Sequence, residues 1–323
     1  MKRLALFLFL VLTTSSMFAQ TPTNRSTDAA NEQPVEVGLV HWGRDLDAAF
    51  KLSEKLDRPV LVLFQEVPGC AGCQKFGREV LSHPLIVEAI EDEFVPVVVY
   101  NNQASGRDAE LLKRFKEPAC NYQVVRFLNS DGKDIIKRQD GVWSTTGIAS
   151  RMISALNAAK RRVPKYLQTV AASGDEANHA KAAFSMSCFW TGEYELGKID
   201  GVVATEAGWL DGQEVTLVQY DKSQLTLSSL AKQAAEVRCA NKVYTDDGKS
   251  QGRLPGGTLE GYRPASDSDQ NKQISRLTAL HSVPGLNEMQ KTKINSLAPR
   301  NAEQALQWLS PRQRQFLANV GLH

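Results

Sequence analysis

The sequence has little net charge, no internal repeat, no bilayer-length apolar run and only five cysteines among 323 residues. Lysine and arginine total 38 against 36 aspartate and glutamate, a formal charge of +2. That balance gives no electrostatic footing for a nucleic acid or a membrane surface as partner. The basic cluster Lys160-Arg161-Arg162 is short and reads as the end of a helix, where cations are favoured. Without a repeat, solenoid architectures are set aside. Five cysteines is an odd number, so a static disulfide framework would leave at least one thiol free or transiently paired.

The first twenty residues stand apart. Lys2-Arg3 form a positive segment, and residues 4–12 form an apolar run of signal-peptide length, too short to span a bilayer. Ala19 is the small residue best placed before a cut, although Met17 two places earlier is not small. No cysteine follows the run, so a lipid anchor is not indicated. Residues 1–20 are therefore expected to be a signal peptide. The chain is expected to be exported, periplasmic or secreted, with no membrane span once mature. In an oxidising compartment, cysteines tend toward disulfides or redox work.

Residues 21–38 begin with Thr-Pro-Thr-Asn-Arg-Ser-Thr-Asp, lack periodicity and read as a flexible tether. A first domain is expected over 39–162. Leu46, Ala49, Phe50, Leu52 and Leu56 mark one face of a helix over 45–56, and the apolar run 60–64 suits a buried parallel strand. Cys70-Ala71-Gly72-Cys73 then opens a helix to about residue 81. Helices over 85–91, 108–115 and 146–159, a strand over 94–100, and a hairpin of 124–128 with 134–137 complete the unit. A cysteine at a helix start is activated by the unpaired N–H groups there. A second one turn later lies close enough to close a disulfide with it. A zinc site would need two further ligands; Cys120 and His83 are available, but the compartment and the element order argue against it. A purely structural disulfide is the other reading.

The order β-α-β-α-β-β-α, with Cys70 and Cys73 after the first main strand, resembles a thioredoxin-like domain. That family places a cis-proline before the strand facing its dithiol, and here Gln123 stands at that position. Cys120, three residues earlier, is a third redox candidate.

Residues 163–178 include Pro164 and Ser173-Gly174-Asp175-Glu176 and read as a linker holding a short helix over 165–172. A second domain is expected over 179–323. A buried strand over 182–186 leads to Cys188, placed as the first residue of a helix with Phe189 and Trp190 as an apolar wall beside it. A strand over 202–209, a turn at Asp211-Gly212, a strand over 214–221 and a helix over 226–237 give β-α-β-β-α, a two-layer α/β plait. A glycine-rich loop over 252–261 is expected to fold over the site. Helices over 272–281, 288–297, 302–309 and 311–320 form a C-terminal extension, with Trp308, Phe316 and Leu317 packing it onto the second domain.

Ser187-Cys188-Phe189-Trp190 with Glu193, then Gly201-Val202, Gly208-Trp209, Glu214-Val215 and Tyr220-Asp221, is similar to the A-type peptide methionine sulfoxide reductases. The likeness implies a thiol-based reductase of oxidised methionine, free or in proteins. Cys188 attacks the sulfoxide sulfur and becomes a sulfenic acid. Glu214 supplies a proton to the departing oxygen, Tyr262 binds that oxygen, and Phe189, Trp190 and Trp209 line the substrate side; Glu193 is structural support. Ser187 replaces a glycine, Trp209 replaces a tyrosine, and Gly257 stands where an aspartate is expected.

Cys239 or Cys120 would resolve the oxidised Cys188, and Cys70 with Cys73 would supply electrons from an external thiol reductant. Fusion favours such a transfer through effective concentration. No cofactor and no metal is called for. Two alternatives remain: a thiol-disulfide oxidoreductase whose second domain only binds clients, and a non-enzymatic binding module. The expected fold is α/β throughout, a thioredoxin-like domain followed by a two-layer plait with a helical extension.

Overall fold

The computed structural model of the chain describes residues 33–119, 123–174, 176–237, 240–275 and 278–320. The signal-peptide and most of the tether assignments fall in residues 1–32 and lie outside the described residues. The rest is a mixed α/β protein with two sheets.

The first sheet and its helices come in the order α1 (Leu46–Leu56), β1 (Val60–Gln65), α2 (Ala71–Glu79), α3 (Pro84–Glu93), β2 (Val95–Tyr100), α4 (Gly106–Phe115), β3 (Val124–Leu128), β4 (Gln139–Asp140), α5 (Thr145–Ala158) and α6 (Lys165–Ser173). The strands lie in the order β2-β1-β3-β4, with β1 parallel to β2 and antiparallel to β3. All six residues of β1 are buried. Successive side chains of a strand point to opposite faces. Leu61 and Leu63 therefore join one core with Phe76 of α2, Ile86 of α3, Met152 of α5 and Leu167 of α6. Val60, Val62 and Phe64 join another with Leu46 of α1 and Leu112 of α4. Two covered faces explain an apolar run without alternation.

Three expectations are corrected here. Residues 34–38 are not tether: a short 3-10 turn, Val35–Val37, packs against α2 with Glu36 and Val37 buried. Val37 joins the first core and the Glu36 carboxylate accepts from the N–H of Gly69, which together dock it. The hairpin's second strand is not 134–137, since Asp134 makes one bridge to Leu128 and regular pairing resumes only at β4. The side chains explain the gap: Arg126 bonds both Asp134 and the buried Glu117, and Arg138 bonds Glu117 and Asp140. Finally, α6 is no linker. Its Tyr166, Leu167 and Val170 lie in the first core.

The second sheet follows as β5 (His179–Ser185), α7 (Phe189–Leu196), β6 (Val202–Leu210), β7 (Gln213–Asp221), α8 (Leu227–Glu236), β8 (Val243–Thr245), β9 (Gly256–Thr258) and β10 (Arg263–Pro264), in spatial order β10-β6-β7-β5-β8-β9. The β-α-β-β-α order is the expected one. Asp211 and Gly212 join β6 to β7 with φ of 51° and 72°, the two left-handed residues that a tight hairpin requires. Ala182, Phe184 and Val218 face Leu230, Ala231 and Ala234 of α8. Part of the glycine-rich loop lies over β6 and β7, with Leu259 packed against Leu210, Val215 and Leu217, but on the face opposite Trp209 and Glu214. The loop's residues Gly256–Thr258 form the outermost strand, parallel to β8, at the far edge of the sheet. A Cβ on Gly256 would lie 2.2 Å from the carbonyl oxygen of Gly248, so glycine admits the close approach of the turn that follows β8.

The C-terminal segment has α9 (Lys272–Ser275), α10 (Thr278–His281), α11 (Glu288–Leu297), α12 (Ala302–Leu306) and α13 (Pro311–Asn319). Of the helix expected over 272–281, residues 272–275 and 278–281 are helical, and residues 276–277 lie outside the described residues. Asn287 and Gln290 form a reciprocal capping box at the start of α11. Trp308 and Leu317 pack with Ile294 and Ile274 in a cluster within the extension, and α11 is the helix that meets β6 and α7 of the second domain. The extension also reaches the first half of the chain: Arg312 bonds Glu88 and Glu91 of α3, and Asn287 donates to Thr169 of α6. Among the described residues no helix is long and apolar enough to cross a membrane.

Lys293 of α11 is 2% exposed and donates to the carbonyl oxygens of Gly197 (2.9 Å) and Ile199 (2.7 Å), just past the end of α7. Burial lowers its pKa from 10.5 to about 8. The unfolded chain therefore holds the extra proton between these values. This group's contribution to stability is full above about pH 10.5 and lost as the pH falls through 8. The unfolding free energy of the wild type minus that of Lys293→Met should rise by about 3 kcal/mol across that window. Chemical denaturation at a series of pH values measures it; a flat difference would refute the assignment.

Candidate functional site

The first thiol centre grows from the end of β1. Beyond Gln65 the chain passes Glu66, the cis Val67–Pro68 peptide and Gly69 before reaching Cys70. Asn102 holds this loop, accepting from the N–H of Val67 at 3.4 Å and donating to the carbonyl oxygen of Pro68 at 3.1 Å. Glu36 accepts from the N–H of Gly69 at 2.9 Å. Cys70 is the N-cap of α2, one residue ahead of the helix. Cys70 is exposed and Cys73 buried, with their sulfurs 3.5 Å apart and both thiols free.

Burial and position split the two thiols. The backbone N–H of Cys73 and then its thiol stabilise a thiolate at Cys70, lowering its pKa. Burial, then the neighbouring Cys70 sulfur and the charge of Glu66, push Cys73 up to about 12. One sulfur is thus an exposed nucleophile and the other a protonated, buried reserve. Glu66 Oε2 lies 3.9 Å from Cys73 Sγ, where it can take the proton as Cys73 enters reaction.

Two residues at this centre escaped sequence reasoning. Glu66 sits four residues before Cys70, a spacing that becomes meaningful only once the β1–α2 loop folds back. Trp143, 39% exposed, lies over the dithiol turn, its ring carbons 3.7 Å from the place a Cβ on Gly72 would occupy. Phe76 supports it edge-on at 6.0 Å. The buried Gln123 donates to the carbonyl oxygen of Val142 at 3.1 Å and so fixes the loop that carries Trp143. The Trp143 ring forms an apolar shelf beside Cys70. Trp143→Ala is expected to raise KM for a peptide disulfide flanked by apolar residues several-fold, with kcat nearly unchanged. Steady-state kinetics on such a peptide, against one flanked by serines, would show the selective loss; equal effects on both would rule the shelf out.

The second centre is Cys188, half-buried, free, and the N-cap of α7 one residue ahead of the expected position. Glu214 of β7 reaches the start of that helix, its Oε2 accepting from the N–H of Phe189 at 2.8 Å. Thr216 donates to the carbonyl oxygen of Phe189 at 3.1 Å. Phe189 meets Trp190 and Trp209 edge-on, at 5.8 and 5.6 Å between ring centres. The structure thus brings Phe189, Trp190, Trp209 and Glu214 together beside Cys188.

Tyr262 does not join them. A Cβ on Gly208 would lie 2.4 Å from Tyr262 Cε2, so the tyrosine ring lies over the face to which Gly208 points. Trp209, the next residue in β6, and its partner Glu214 point to the other face. The Tyr262 hydroxyl donates to Glu206 Oε1 at 2.7 Å, again on the Gly208 side. The sheet therefore separates Tyr262 from the aromatic side chains around Cys188. Its distance in sequence gave no sign of this; the β6 parity did.

Glu193, one turn into α7, is fully buried and accepts from the N–H of Asn271 at 3.1 Å; burial raises its pKa to about 7. Its side chain ties α7 to the segment before α9. Cys120 and Cys239 lie outside the described residues. Among the described residues, Glu66, Cys70 and Cys73 form the one cluster of His, Cys, Asp and Glu side chains with metal-ligand spacing, and His83 is not in it.

Residues 41–129 match a family described as thioredoxin-like. No curated protein matches the chain. A solved structure described as a DsbH oxidoreductase is similar at 18% identity, with a TM-score of 0.32 over 42% of this chain and 94% of that one. The chain carries a thioredoxin-like domain over residues 41–129, with the Cys70–Cys73 dithiol in the turn after its central strand.

Proposed function

We propose that the chain is an exported thiol-disulfide oxidoreductase working through Cys70 and Cys73. The observation that carries this reading is the pair of free sulfurs 3.5 Å apart, one exposed and one buried, with their thiol pKa values driven in opposite directions. The Cys70 thiolate attacks one sulfur of a client disulfide, forming a mixed disulfide and releasing the client's other sulfur as a thiolate. Cys73 then loses its proton to Glu66 and attacks Cys70 Sγ. The client leaves as a dithiol, and the chain holds a Cys70–Cys73 disulfide. An external dithiol reductant restores it. The test is reduction of insulin by the reduced chain, which must require both cysteines. Export rests on Lys2-Arg3 and the apolar run that follows them.

A second reading assigns Cys188 a reaction of its own, reduction of methyl sulfoxides such as oxidised methionine. It is favoured by the contact between Glu214 and the N–H of Phe189, which sets a carboxyl group at the helix start where Cys188 stands. Attack of the Cys188 thiolate on the sulfoxide sulfur, with protons delivered to its oxygen, yields a thioether and Cys188 sulfenic acid. A thiol then condenses with that sulfenic acid, releasing water. Two electrons from the Cys70–Cys73 dithiol complete the cycle. Its rival, a second domain that only binds clients, predicts disulfide reduction indifferent to Cys188→Ser and no sulfoxide turnover. Mapping cysteine oxidation states after one turnover with methionine sulfoxide separates the two.

A further inference from the structure

We propose that Glu66, Cys70 and Cys73 of the reduced chain form a three-ligand site for a thiophilic divalent cation, zinc above all. The ligand atoms all lie within 4.8 Å of one another. Tetrahedral zinc sets two sulfurs about 3.8 Å apart, and a sulfur and a carboxylate oxygen about 3.6 Å apart. The structure has 3.5 Å between the two sulfurs and 3.9 Å from Cys73 Sγ to Glu66 Oε2. Small adjustments of χ angles bring all three onto one ion.

The site is also held ready. Glu66 follows directly on the buried strand β1, Cys73 is inside α2, and the Asn102 and Glu36 bonds fix the loop between them. Two thiolates and a carboxylate suit zinc in both charge and softness. Cys70 is exposed, so water can complete the fourth position. Binding displaces one proton from each thiol to solvent and needs no electron transfer. A bound ion occupies both sulfurs, so it shields the reduced dithiol from disulfides and must leave before the dithiol can react. Of the two further residues available for zinc in the sequence, His83 is not in this cluster and Cys120 lies outside the described residues.

The test is a titration of the full reduced chain with zinc under anaerobic conditions, in competition with a chromophoric chelator. Cobalt(II) serves as a second probe, because thiolate-to-cobalt charge transfer reports the number of sulfurs bound. The expected result is one tight equivalent with two thiolates, absent from the chain once Cys70 and Cys73 are oxidised. Cys70→Ser should weaken it at least 100-fold, and because Cys70 is exposed this substitution leaves the core intact. Glu66→Gln should weaken it about tenfold or more, the scale for losing a group that holds a metal in place. Cys188→Ser should bind as the wild type does. Unchanged affinity in either Cys70→Ser or Glu66→Gln would overturn the proposal. Binding requires no turnover, so its outcome stands apart from insulin reduction.

Discussion

Cys70→Ser is expected to abolish insulin reduction, with a loss of roughly 10^3-fold or more, the scale seen when a covalent nucleophile is removed. A serine hydroxyl at the N-cap of α2 keeps the helix start but is no nucleophile at neutral pH. Cys73→Ser should behave differently. Cys70 remains exposed and able to attack, so the variant should stall as a mixed disulfide that mass spectrometry finds on Cys70. The two variants thus report the order of events. The pH profile gives an independent reading. The helix N–H groups and the Cys73 thiol hold the Cys70 pKa below the ordinary thiol value of 9.0, so the attack rate should rise to its plateau below that pH. A profile that climbs through pH 9, or a mixed disulfide on Cys73 in place of Cys70, would reverse the assignment.

Glu214→Gln should lower methyl sulfoxide reduction by ~10^2-fold or more, within the range for loss of a general acid. The substitution is informative because glutamine keeps an oxygen able to accept from the N–H of Phe189. Helix α7 stays in place, and only the proton is lost. Cys188→Ser should remove the reaction altogether and prevent capture of a sulfenic acid by dimedone-type reagents. Wild-type turnover in Glu214→Gln would leave Glu214 as a helix cap alone. No sulfoxide turnover in the unaltered chain would leave the disulfide chemistry of Cys70 and Cys73 standing by itself.

What could be read from the sequence was whatever repeats at short range. The apolar runs that became β1 and β5, the Asp211-Gly212 turn and the helices that start after Cys70 and Cys188 all follow from local periodicity and backbone preference. The two dithiol residues were legible for the same reason, since four consecutive positions fix their geometry. Glu66 was not, because its meeting with Cys73 depends on a loop held by Asn102, far away in the chain. The Tyr262 assignment failed on parity: sequence order shows that it comes near β6 but not on which face. The 134–137 strand failed because ion pairs to Arg126 and Arg138 shaped that segment more than β-propensity did. The glycine-rich loop looked like a lid because glycine also permits close strand pairing, and composition does not separate the two uses.

The placement of α6 sets how the two thiol centres can cooperate. With α6 in the first core and β5 starting at His179, the connection between them is short, and its residues Glu176–Asn178 form a 3-10 turn whose Asn178 carbonyl oxygen accepts from the N–H of Lys222. Arg312 and Asn287 also fasten the C-terminal extension to α3 and α6. The two halves are therefore less like beads on a string than like one block. Any hand-over of electrons from Cys73 to Cys188 must cross the separation that this packing sets, or falls to a carrier that visits each sulfur in turn.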